Sequence, residues 1–425
     1  MWERLLDQML RRLVRKGGLK VTYPSGDVRR YGEDDENPVA VRVADAATLR
    51  RIVLNAELAV GEAYMDERLL IENDDLYGFL GLVISNAAEE DANVWWRRVV
   101  GALRNAKRRL DQWNPVGTAQ RNVAHHYDLS GELYRLFLDA DRQYSCAYFT
   151  RPDMTLDEAQ EAKKHHIARK LCLEPGMRVL DIGCGWGGMG LTLARDYGCE
   201  VLGVTLSTEQ HRVANARAEA EGLSDRARFE LVDYRRVTGT FDRVVSVGMF
   251  EHVGVPHYRE YFRHVHDFLT PDGVALIHTI GRTSPPGTTN PWIRKYIFPG
   301  GYIPAMSEVM EAVEKERFWT CDVEVLRLHY AETLKHWYDR FMANIERVRE
   351  IYDDRFCRMW RWYLVASELT FRFNHQVVFQ FQLARRQEAV PLIRDYLYRP
   401  PSGEPARPKT TSGARSARRQ SAAAG

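Results

Sequence analysis

A glycine-rich turn that follows a buried strand constrains the fold of this chain more than any other feature. The segment VLDIGCGWGG (179–188) runs from an apolar strand, through the glycines, into the helical pattern MGLTLARDYG. Without side chains at the turn, the backbone bends tightly and a nucleoside-bearing ligand can approach the main chain. The turn by itself is ambiguous, because Gly183, Gly185 and Gly188 also satisfy the dinucleotide pattern Gly-x-Gly-x-x-Gly.

Two acidic positions, one filled and one not, separate the candidate cofactors. Asp181 stands before the first glycine, as in the first motif of class I S-adenosylmethionine-dependent methyltransferases. A nicotinamide enzyme also needs an acid about 20 residues further on, to hold a ribose hydroxyl. Here the second strand ends instead in TLS (205–207). We therefore expect S-adenosylmethionine rather than a nicotinamide cofactor or a purely structural turn, with Asp181, Gly183 and Gly185 at its site.

The end of the second strand also departs from most class I methyltransferases, which place an acid there. Thr205 and Leu206 close this strand, and we expect both at the cofactor site together with Gln210. Thr205 and Gln210 can supply hydrogen bonds to the polar ends of the cofactor. Asp233 closes the third strand, where an acceptor for the adenine amino group would be useful. Its alternative role is that of a helix N-cap or turn residue.

Apolar runs of strand length alternate with helical patterns from about residue 120 to 398. This alternation predicts a parallel sheet covered by helices on both faces. We expect an α/β fold, with a class I methyltransferase domain over 116–398, a mostly parallel seven-stranded sheet, and a helical insert at about 282–345. Residues 1–115 predict a small α+β domain, and the Pro-, Ser- and Arg-rich residues 399–425 a disordered tail.

Composition and charge exclude several classes of function. Sixty basic and fifty-eight acidic residues give a net charge of +2, so no nucleic-acid partner is expected. No apolar run approaches the roughly 18 residues that span a bilayer, and the N-terminus lacks the apolar core of a secretory signal. The six cysteines form no Cys-x-x-Cys motif, so we expect reduced thiols, no metal and a cytoplasmic location.

The first residues have an amphipathic helical pattern with basic neighbours. Leu5, Leu6, Met9, Leu10 and Leu13 recur at helical spacing. A helix docked on its own domain is one interpretation, and a helix lying on an anionic membrane surface is the other.

Several motifs together resemble those of the cyclopropane-fatty-acid synthase family, from about residue 120 to 395. QYSCAYF (143–149), GMFEHVG (248–254) and FPGGYIP (298–304) are far more specific than the glycine turn, and the motifs follow the family's order. Further matching stretches are HHYDLSGELYRLFLD (125–139), GVTLSTEQ (203–210) and HTIG (278–281). The resemblance of the N-terminal region to the extra domain of the phospholipid-acting bacterial members is looser.

This resemblance implies a reaction and a site. Family members transfer the methyl of S-adenosylmethionine to the cis double bond of a membrane phospholipid acyl chain, and a bound bicarbonate acts as base for ring closure. Its implied holders are Cys146, Glu251, His278, the backbone at Ile280, and Tyr330, with Glu251 and His278 as a hydrogen-bonded pair. Implied cofactor contacts are Tyr144, Ser145, Gly183, Gly185, Thr205 and Gln210, and less securely Asp233.

The resemblance also implies partners. We expect the N-terminal domain to aid lipid capture, peripheral contact with an anionic surface at the inner face of the cell membrane, and a possible homodimer. Two alternatives stay open. One is a relative that methylates an unsaturated chain without closing a ring, giving a methyl-branched, methylene or furan-precursor product. The other is a non-catalytic lipid-binding protein on the same fold.

Overall fold

The computed structural model describes residues 1–33, 36–89 and 131–398. The predicted domain boundary at 115/116 and the predicted tail at 399–425 lie outside the described residues. Two sheets organise the described chain, one of four strands near the N-terminus and one of seven strands after residue 131.

The N-terminal part is α+β, as the sequence predicts. Its helices are α1 (Trp2–Leu13), α2 (Ala46–Leu54), α3 (Ala56–Met65) and α4 (Leu76–Glu89). Its strands are β1 (Gly18–Thr22), β2 (Val28–Gly32), β3 (Val39–Val43) and β4 (Leu69–Ile71), in the order β2-β1-β3-β4. Helix α1 buries Leu6 and leaves Leu5 and Met9 exposed.

The seven-stranded sheet has the order β10-β11-β9-β8-β5-β6-β7. Its strands are β5 (Arg178–Ile182), β6 (Glu200–Thr205), β7 (Ala227–Leu231), β8 (Phe241–Val247), β9 (Leu269–Arg282), β10 (Trp319–Leu326) and β11 (Gln376–Ala384). Strands β5 to β9 pair in parallel, and β11 pairs antiparallel with both β9 and β10. The predicted mostly parallel seven-stranded sheet of a class I methyltransferase is therefore confirmed.

Helices cover this sheet on both faces. They are α5 (Gly131–Phe137), α6 (Leu156–Lys170), α7 (Gly188–Tyr197), α8 (Thr208–Ala220), α9 (Tyr258–Phe268), α10 (Pro291–Tyr296), α11 (Met306–Lys315), α12 (His329–Ala343), α13 (Ile345–Ile351) and α14 (Asp354–Phe373). The central strand shows why two layers form. Val179 packs in the core with α7, whereas Leu180 and Ile182 pack in the opposite core with α9.

The helical insert differs from the expected range of 282–345. Strand β10 interrupts it, and helices continue after β10 to Phe373. The sequence WTCDVEVL (319–326) carries β-branched residues at an edge of the sheet, so pairing with β11 decides its structure.

The N-terminal part packs on helices of the C-terminal part. Backbone at Gly61 lies so close to Trp292 that a Cβ would come within 2.6 Å of its ring nitrogen. The Tyr77 hydroxyl donates to Glu368 at 2.6 Å, and one apolar core includes residues of both parts. In the described ranges, no helix combines the length and apolar character needed to cross a bilayer.

Candidate active site

The carboxyl ends of β5, β6 and β8 surround a cleft of about 1300 Å³, its open mouth included. In parallel α/β sheets this edge is where ligands bind. All nine residues predicted to contact the cofactor line the cleft: Tyr144, Ser145, Asp181, Gly183, Gly185, Thr205, Leu206, Gln210 and Asp233. The five predicted bicarbonate holders are not part of its described lining.

The glycine turn forms the floor of the cleft. Gly183 has φ +83°, and a Cβ there would lie 2.8 Å from the Cβ of Met249. Gly185 has φ +55°, and a Cβ there would meet no atom within 4 Å. The first glycine is therefore required by packing and conformation, whereas the second keeps the space above the turn open for a ligand.

Asp181 ends the central strand beside this turn. Its side chain is buried, and its Oδ2 atom has no hydrogen-bond partner among the described residues. Burial raises its pKa to about 7, although the nearby Lys163 ammonium opposes that rise. A buried carboxyl oxygen without a partner fits a ligand that brings hydrogen-bond donors, such as the amino or hydroxyl groups of S-adenosylmethionine.

Neutral side chains replace the acid that usually ends the second strand. The Thr205 hydroxyl donates to Gln210 Oε1 at 2.9 Å, and the Ser207 hydroxyl caps helix α8 by accepting from the Gln210 backbone N–H. Thr205 and Gln210 are both buried. This arrangement offers polar atoms without a charge at the position where the sequence lacks an acid.

Asp233 lines the cleft, but its carboxylate already has a partner. Arg235 donates to Oδ1 at 2.9 Å and to Oδ2 at 2.7 Å, and Asp233 caps a short 3-10 helix. Burial would raise the pKa of Asp233, but Arg235 lowers it. The turn and capping role given as its alternative is therefore realised, and its contact with adenine stays a prediction.

A buried lysine that sequence reasoning missed supports the same cleft. Lys163 on α6 is 0% exposed, and its Nζ donates to Gln143 Oε1 at 2.6 Å and Ser145 Oγ at 2.8 Å. Burial lowers the pKa of Lys163 to about 8. Ser145 and Gln143 both line the cleft, so this ammonium holds two cofactor-facing side chains in place.

Cys146 and Tyr330 belong to the same apolar core, in segments that a hydrogen bond joins. The backbone N–H of Ala147 donates to Thr333, one turn after Tyr330 on that helix. Burial raises the pKa of the Cys146 thiol well above its usual range, so the thiol stays protonated. Tyr330 is also buried and packs edge-on against Trp337.

Glu251 and Ile280 meet directly. Glu251 follows β8, and its Oε1 accepts a hydrogen bond from the Ile280 backbone N–H at 2.6 Å. Its Oε2 is buried and has no hydrogen-bond partner among the described residues. Burial raises the pKa of Glu251 to about 7. This rise favours the protonated carboxyl, whose Oε2 can then donate a hydrogen bond.

His278 differs from expectation in its partner. The expected hydrogen bond to Glu251 is not formed in the described chain, because His278 Nδ1 is bound to the side chain of Gln380 at 3.0 Å and Glu251 to Ile280. The His278 backbone carbonyl accepts from Gly248, which lines the cleft. The sheet therefore holds His278 and Glu251 near one strand end without pairing them.

The ammonium of Lys163 acts electrostatically on residues of both the cleft and the predicted bicarbonate set. The Lys163 charge perturbs the pKa of both Cys146 and His278, as it does that of Asp181. Tyr144 lies between the cleft and the helices, where its ring stacks on Trp337 at 5.1 Å between ring centroids. The nine predicted cofactor residues thus line one cleft, and the shared bicarbonate site of the other five stays a prediction.

An acid-glycine turn on a central parallel strand, with an open cleft above it, defines a class I S-adenosylmethionine-dependent methyltransferase. The chain belongs to the mycolic acid cyclopropane synthetase family, which its sequence matches over residues 116–381. Residues 5–93 match a domain of unknown function. The predicted family, the cofactor S-adenosylmethionine and the enzyme class are confirmed, the non-catalytic alternative is not supported, and the bound bicarbonate stays a prediction.

The relatives of the chain include acyl-lipid enzymes. It is 38% identical to the cyclopropane-fatty-acyl-phospholipid synthase of Escherichia coli K12, over 83% of this chain and 89% of that protein. It is 33% identical to the tuberculostearic acid methyltransferase UfaA1 of Mycobacterium tuberculosis, over 90% of this chain and 91% of that protein. The cyclopropane synthase CmaA1, solved with SAH and CTAB, superposes with a TM-score of 0.59 at 35% identity, covering 64% of this chain and 99% of CmaA1.

Proposed function

We propose that this chain is a cyclopropane-fatty-acyl-phospholipid synthase, which converts a cis double bond of a phospholipid acyl chain into a cyclopropane ring. The observation that carries the proposal is the buried carboxyl group of Glu251, placed directly beside the cofactor cleft. Met249 and His252, on either side of it in sequence, line that cleft. Methyl addition to an alkene leaves a cation, and the ring closes when the added methyl loses a proton, so the reaction needs a polar site beside the cleft to hold a base. The named Escherichia coli relative supports the same substrate class.

The chemistry requires an apolar enclosure. An alkene is a poor nucleophile, and the methyl supplied by S-adenosylmethionine leaves a carbocation on the acyl chain. Water must be kept from this cation until the ring closes. Tyr144, which lines the cleft, packs against the buried rings of Trp337 and Phe137, with Trp360 against Phe137. Such rings exclude water, and their faces attract a cation by about 0.5–2 kcal/mol per contact.

The second site has the donor set that a small anion needs. When bound there, bicarbonate would supply the base that accepts the methyl proton. Its holders would be Cys146, Glu251, His278, the Ile280 backbone and Tyr330. The protonated carboxyl of Glu251 donates from Oε2, while the Ile280 N–H fixes its other oxygen. The neutral Cys146 thiol adds a weak donor.

A related reaction is the second candidate. The similarity to a tuberculostearic acid methyltransferase, over nine-tenths of both chains, favours methyl addition without ring closure. The same cleft and wall serve both reactions, since they differ only in the fate of the cation after methyl transfer.

One assay distinguishes these outcomes. Purified protein is incubated with S-adenosylmethionine and vesicles of cis-monounsaturated phosphatidylglycerol and phosphatidylethanolamine. We expect release of S-adenosylhomocysteine, a mass gain of one CH2 per acyl chain, and a product that resists ozone. An ozone-sensitive product with the same mass gain, formed when the cation loses a proton to leave a methylene or a shifted double bond, would establish the second candidate. No product from protein that binds the cofactor would reject both.

A matched pair of variants tests the second site. Glu251→Gln should lower kcat by about 10²-fold or more, because an amide can still donate a hydrogen bond but cannot exchange a proton with the anion that takes up the methyl proton. Affinity for S-adenosylhomocysteine should stay within a few-fold of the original. Glu311→Gln, the same change at a surface ion pair with Lys315, is the control and should change neither value. A parallel loss of cofactor affinity in Glu251→Gln would reject the placement.

We further propose that the protein works at the inner face of the cell membrane from the cytoplasm, as a peripheral protein and as a homodimer. Helix α1 supports contact with an anionic surface. It carries Arg11 and Arg12 in its last turn and exposes Leu5 and Met9. Its other face packs through Leu6, so docking on its own domain and lying on a membrane are compatible.

A further inference from the structure

A line of hydrogen bonds behind the second site ends at the ring of His278. His278 on β9 lies opposite Gln380 on β11 in the antiparallel register. Gln380 Nε2 lies 3.0 Å from His278 Nδ1, and Lys170 Nζ lies 2.8 Å from Gln380 Oε1. Gln380 and Lys170 are completely buried, and His278 is 2% exposed. This contact is therefore built into the sheet and closed to water.

The chemistry of these groups leaves one arrangement of protons. A lysine ammonium carries three donors and no acceptor, so the Gln380 atom that faces Lys170 must be the carbonyl oxygen. The amide nitrogen then faces His278, and an amide NH2 only donates. His278 Nδ1 must accept this hydrogen bond, so in a neutral ring the proton sits on Nε2.

The position of Lys170 is itself fixed. Its ammonium also contacts the Glu324 carboxylate, which accepts a hydrogen bond from His166 Nε2 at 2.6 Å. Lys170 therefore keeps its charge partner on one side and the Gln380 oxygen on the other. If the Gln380 amide were inverted, its NH2 group would face the Lys170 ammonium, and two donors would meet without an acceptor. The orientation of Gln380 is therefore fixed.

We propose that Gln380, oriented by Lys170, is a positioning residue that holds His278 as the neutral tautomer protonated at Nε2. The ring then carries its N–H on the side opposite Gln380 and acts as a hydrogen-bond donor there. The opposite tautomer would present a lone pair, which repels an anion. The role of this donor towards bicarbonate rests on the proposed function, whereas the tautomer itself does not.

The electrostatics of the surroundings agree with a neutral ring. Burial lowers the pKa of His278 well below its usual range, and the ammonium groups of Lys163 and Lys170 lower it further. A second proton on Nδ1 would also face the Gln380 NH2 group. His278 is therefore a fixed donor that does not take up the methyl proton itself.

The test is the protonation pattern of the His278 ring in 15N-histidine-labelled full-length protein, with the resonance assigned by its loss in His278→Gln. Two-bond proton–nitrogen correlations show which ring nitrogen carries the proton. In the unmodified protein we expect a proton on Nε2 and none on Nδ1. A protonated Nδ1 would overturn the proposal. This measurement requires no substitution at Gln380 or Lys170.

Gln380→Glu tests the cause. A carboxylate at this position can only accept, so Nδ1 should become protonated, and kcat should fall by about 10²-fold or more as Nε2 loses its donor role. Gln382→Glu is the matched control, because Gln382 is also completely buried on the same face of β11 but contacts the Lys170 backbone and Tyr396. In Gln382→Glu, the protonation of the two His278 ring nitrogens should not change. An unprotonated Nδ1 in Gln380→Glu would refute the proposed cause.

The two proposals can fail separately. If the product is methyl-branched, or no product forms, the His278 pattern still decides the tautomer. If a cyclopropane product forms while Nδ1 carries the proton, the proposed function stands and the inference about Gln380 is wrong.

Discussion

Replacing Lys163 with methionine should change how stability depends on pH in a way that no surface lysine would. Lys163 is 0% exposed, and its ammonium has only neutral acceptors, Gln143 and Ser145, in direct contact among the described residues. Methionine has a similar length and no charge, so Lys163→Met removes the buried ammonium while keeping most of the packing.

The magnitude follows from the pKa. A fall from 10.5 to about 8 on folding corresponds to about 3.4 kcal/mol, at ~1.36 kcal/mol for each tenfold change in proton affinity. Because the folded pKa is the lower one, the unfolded state binds more protons between these values. The penalty to folding is therefore complete below pH 8 and has vanished above pH 10.5. Two hydrogen bonds, worth roughly 1 kcal/mol or more each, offset part of it at neutral pH.

Urea unfolding of both proteins from pH 7 to pH 10.5 measures this effect. Near pH 7 we expect Lys163→Met to lie within about 2 kcal/mol of the original, since penalty and hydrogen bonds largely cancel. As pH rises, the original should gain about 3 kcal/mol relative to the variant. If the free energies of unfolding of the original and of Lys163→Met changed with pH in parallel, the reasoning would be refuted.

Lys164→Met is the control for this experiment. Lys164 is also buried, but its ammonium contacts the carboxylates of Asp141 and Glu161. Burial would lower its pKa, yet these carboxylates raise it. Its removal should therefore destabilise the protein already at pH 7. In Lys163→Met, affinity for S-adenosylhomocysteine, measured by calorimetry, should fall about tenfold, because Ser145 loses its donor.

Three further outcomes are expected. Because burial raises the pKa of Glu251 to about 7 and the protonated form donates, kcat/KM should fall above about pH 7, and Glu251→Gln should lack this limb in a pH–rate profile; an unchanged limb would contradict this. Glu62→Gln, which weakens a buried contact with Lys295, should lower the free energy of unfolding by about 1–3 kcal/mol in urea titrations; no change would mean that this contact does not stabilise the domain packing. Leu5→Asp with Met9→Asp should weaken sedimentation with anionic vesicles while preserving turnover on detergent-dispersed substrate; unchanged sedimentation would reject the membrane role of α1.

The sequence predicted the fold and the cofactor cleft because both depend on local pattern. Asp181 and the glycines after it specify a strand, a turn and a helix within ten residues, and the structure places them as expected. Thr205 and Gln210 follow the next strand, so the topology brings them to the same edge. No distant contact was needed to predict these positions.

Lys163 and Lys170 were missed because their segment, EAQEAKKHHIARK, has the composition of a solvated helix face. The structure buries Lys163, His166, Ile167 and Lys170, which are spaced by three and four residues like an apolar stripe. That spacing was the available signal. It carries no information about Gln380 and Glu324, which come from β11 and β10 more than 150 residues later.

The expected pairing of Glu251 with His278 failed for a related reason. A motif in the sequence places a side chain near a site, but it does not show which hydrogen-bond partner that side chain takes, because backbone groups compete for it. The free Ile280 N–H sits opposite Glu251, and Gln380 sits opposite His278 across the sheet. Strand register sets the partner of His278, and the short 3-10 helix after β8 sets that of Glu251; a single sequence reveals neither.

These partners have a consequence for the choice of base. Burial keeps His278 neutral, Gln380 occupies its Nδ1, and Glu251 shares its one bonded oxygen with Ile280. Among the described residues near this point, Lys163 contributes a charge that no carboxylate contacts directly. A site that holds neutral donors beneath an ammonium stabilises an added anion more than it activates its own side chains. We therefore expect that bicarbonate-depleted enzyme loses turnover, that added bicarbonate restores it, and that restoration is weaker in Lys163→Met. Full turnover without bicarbonate would mean that Glu251 itself takes the proton.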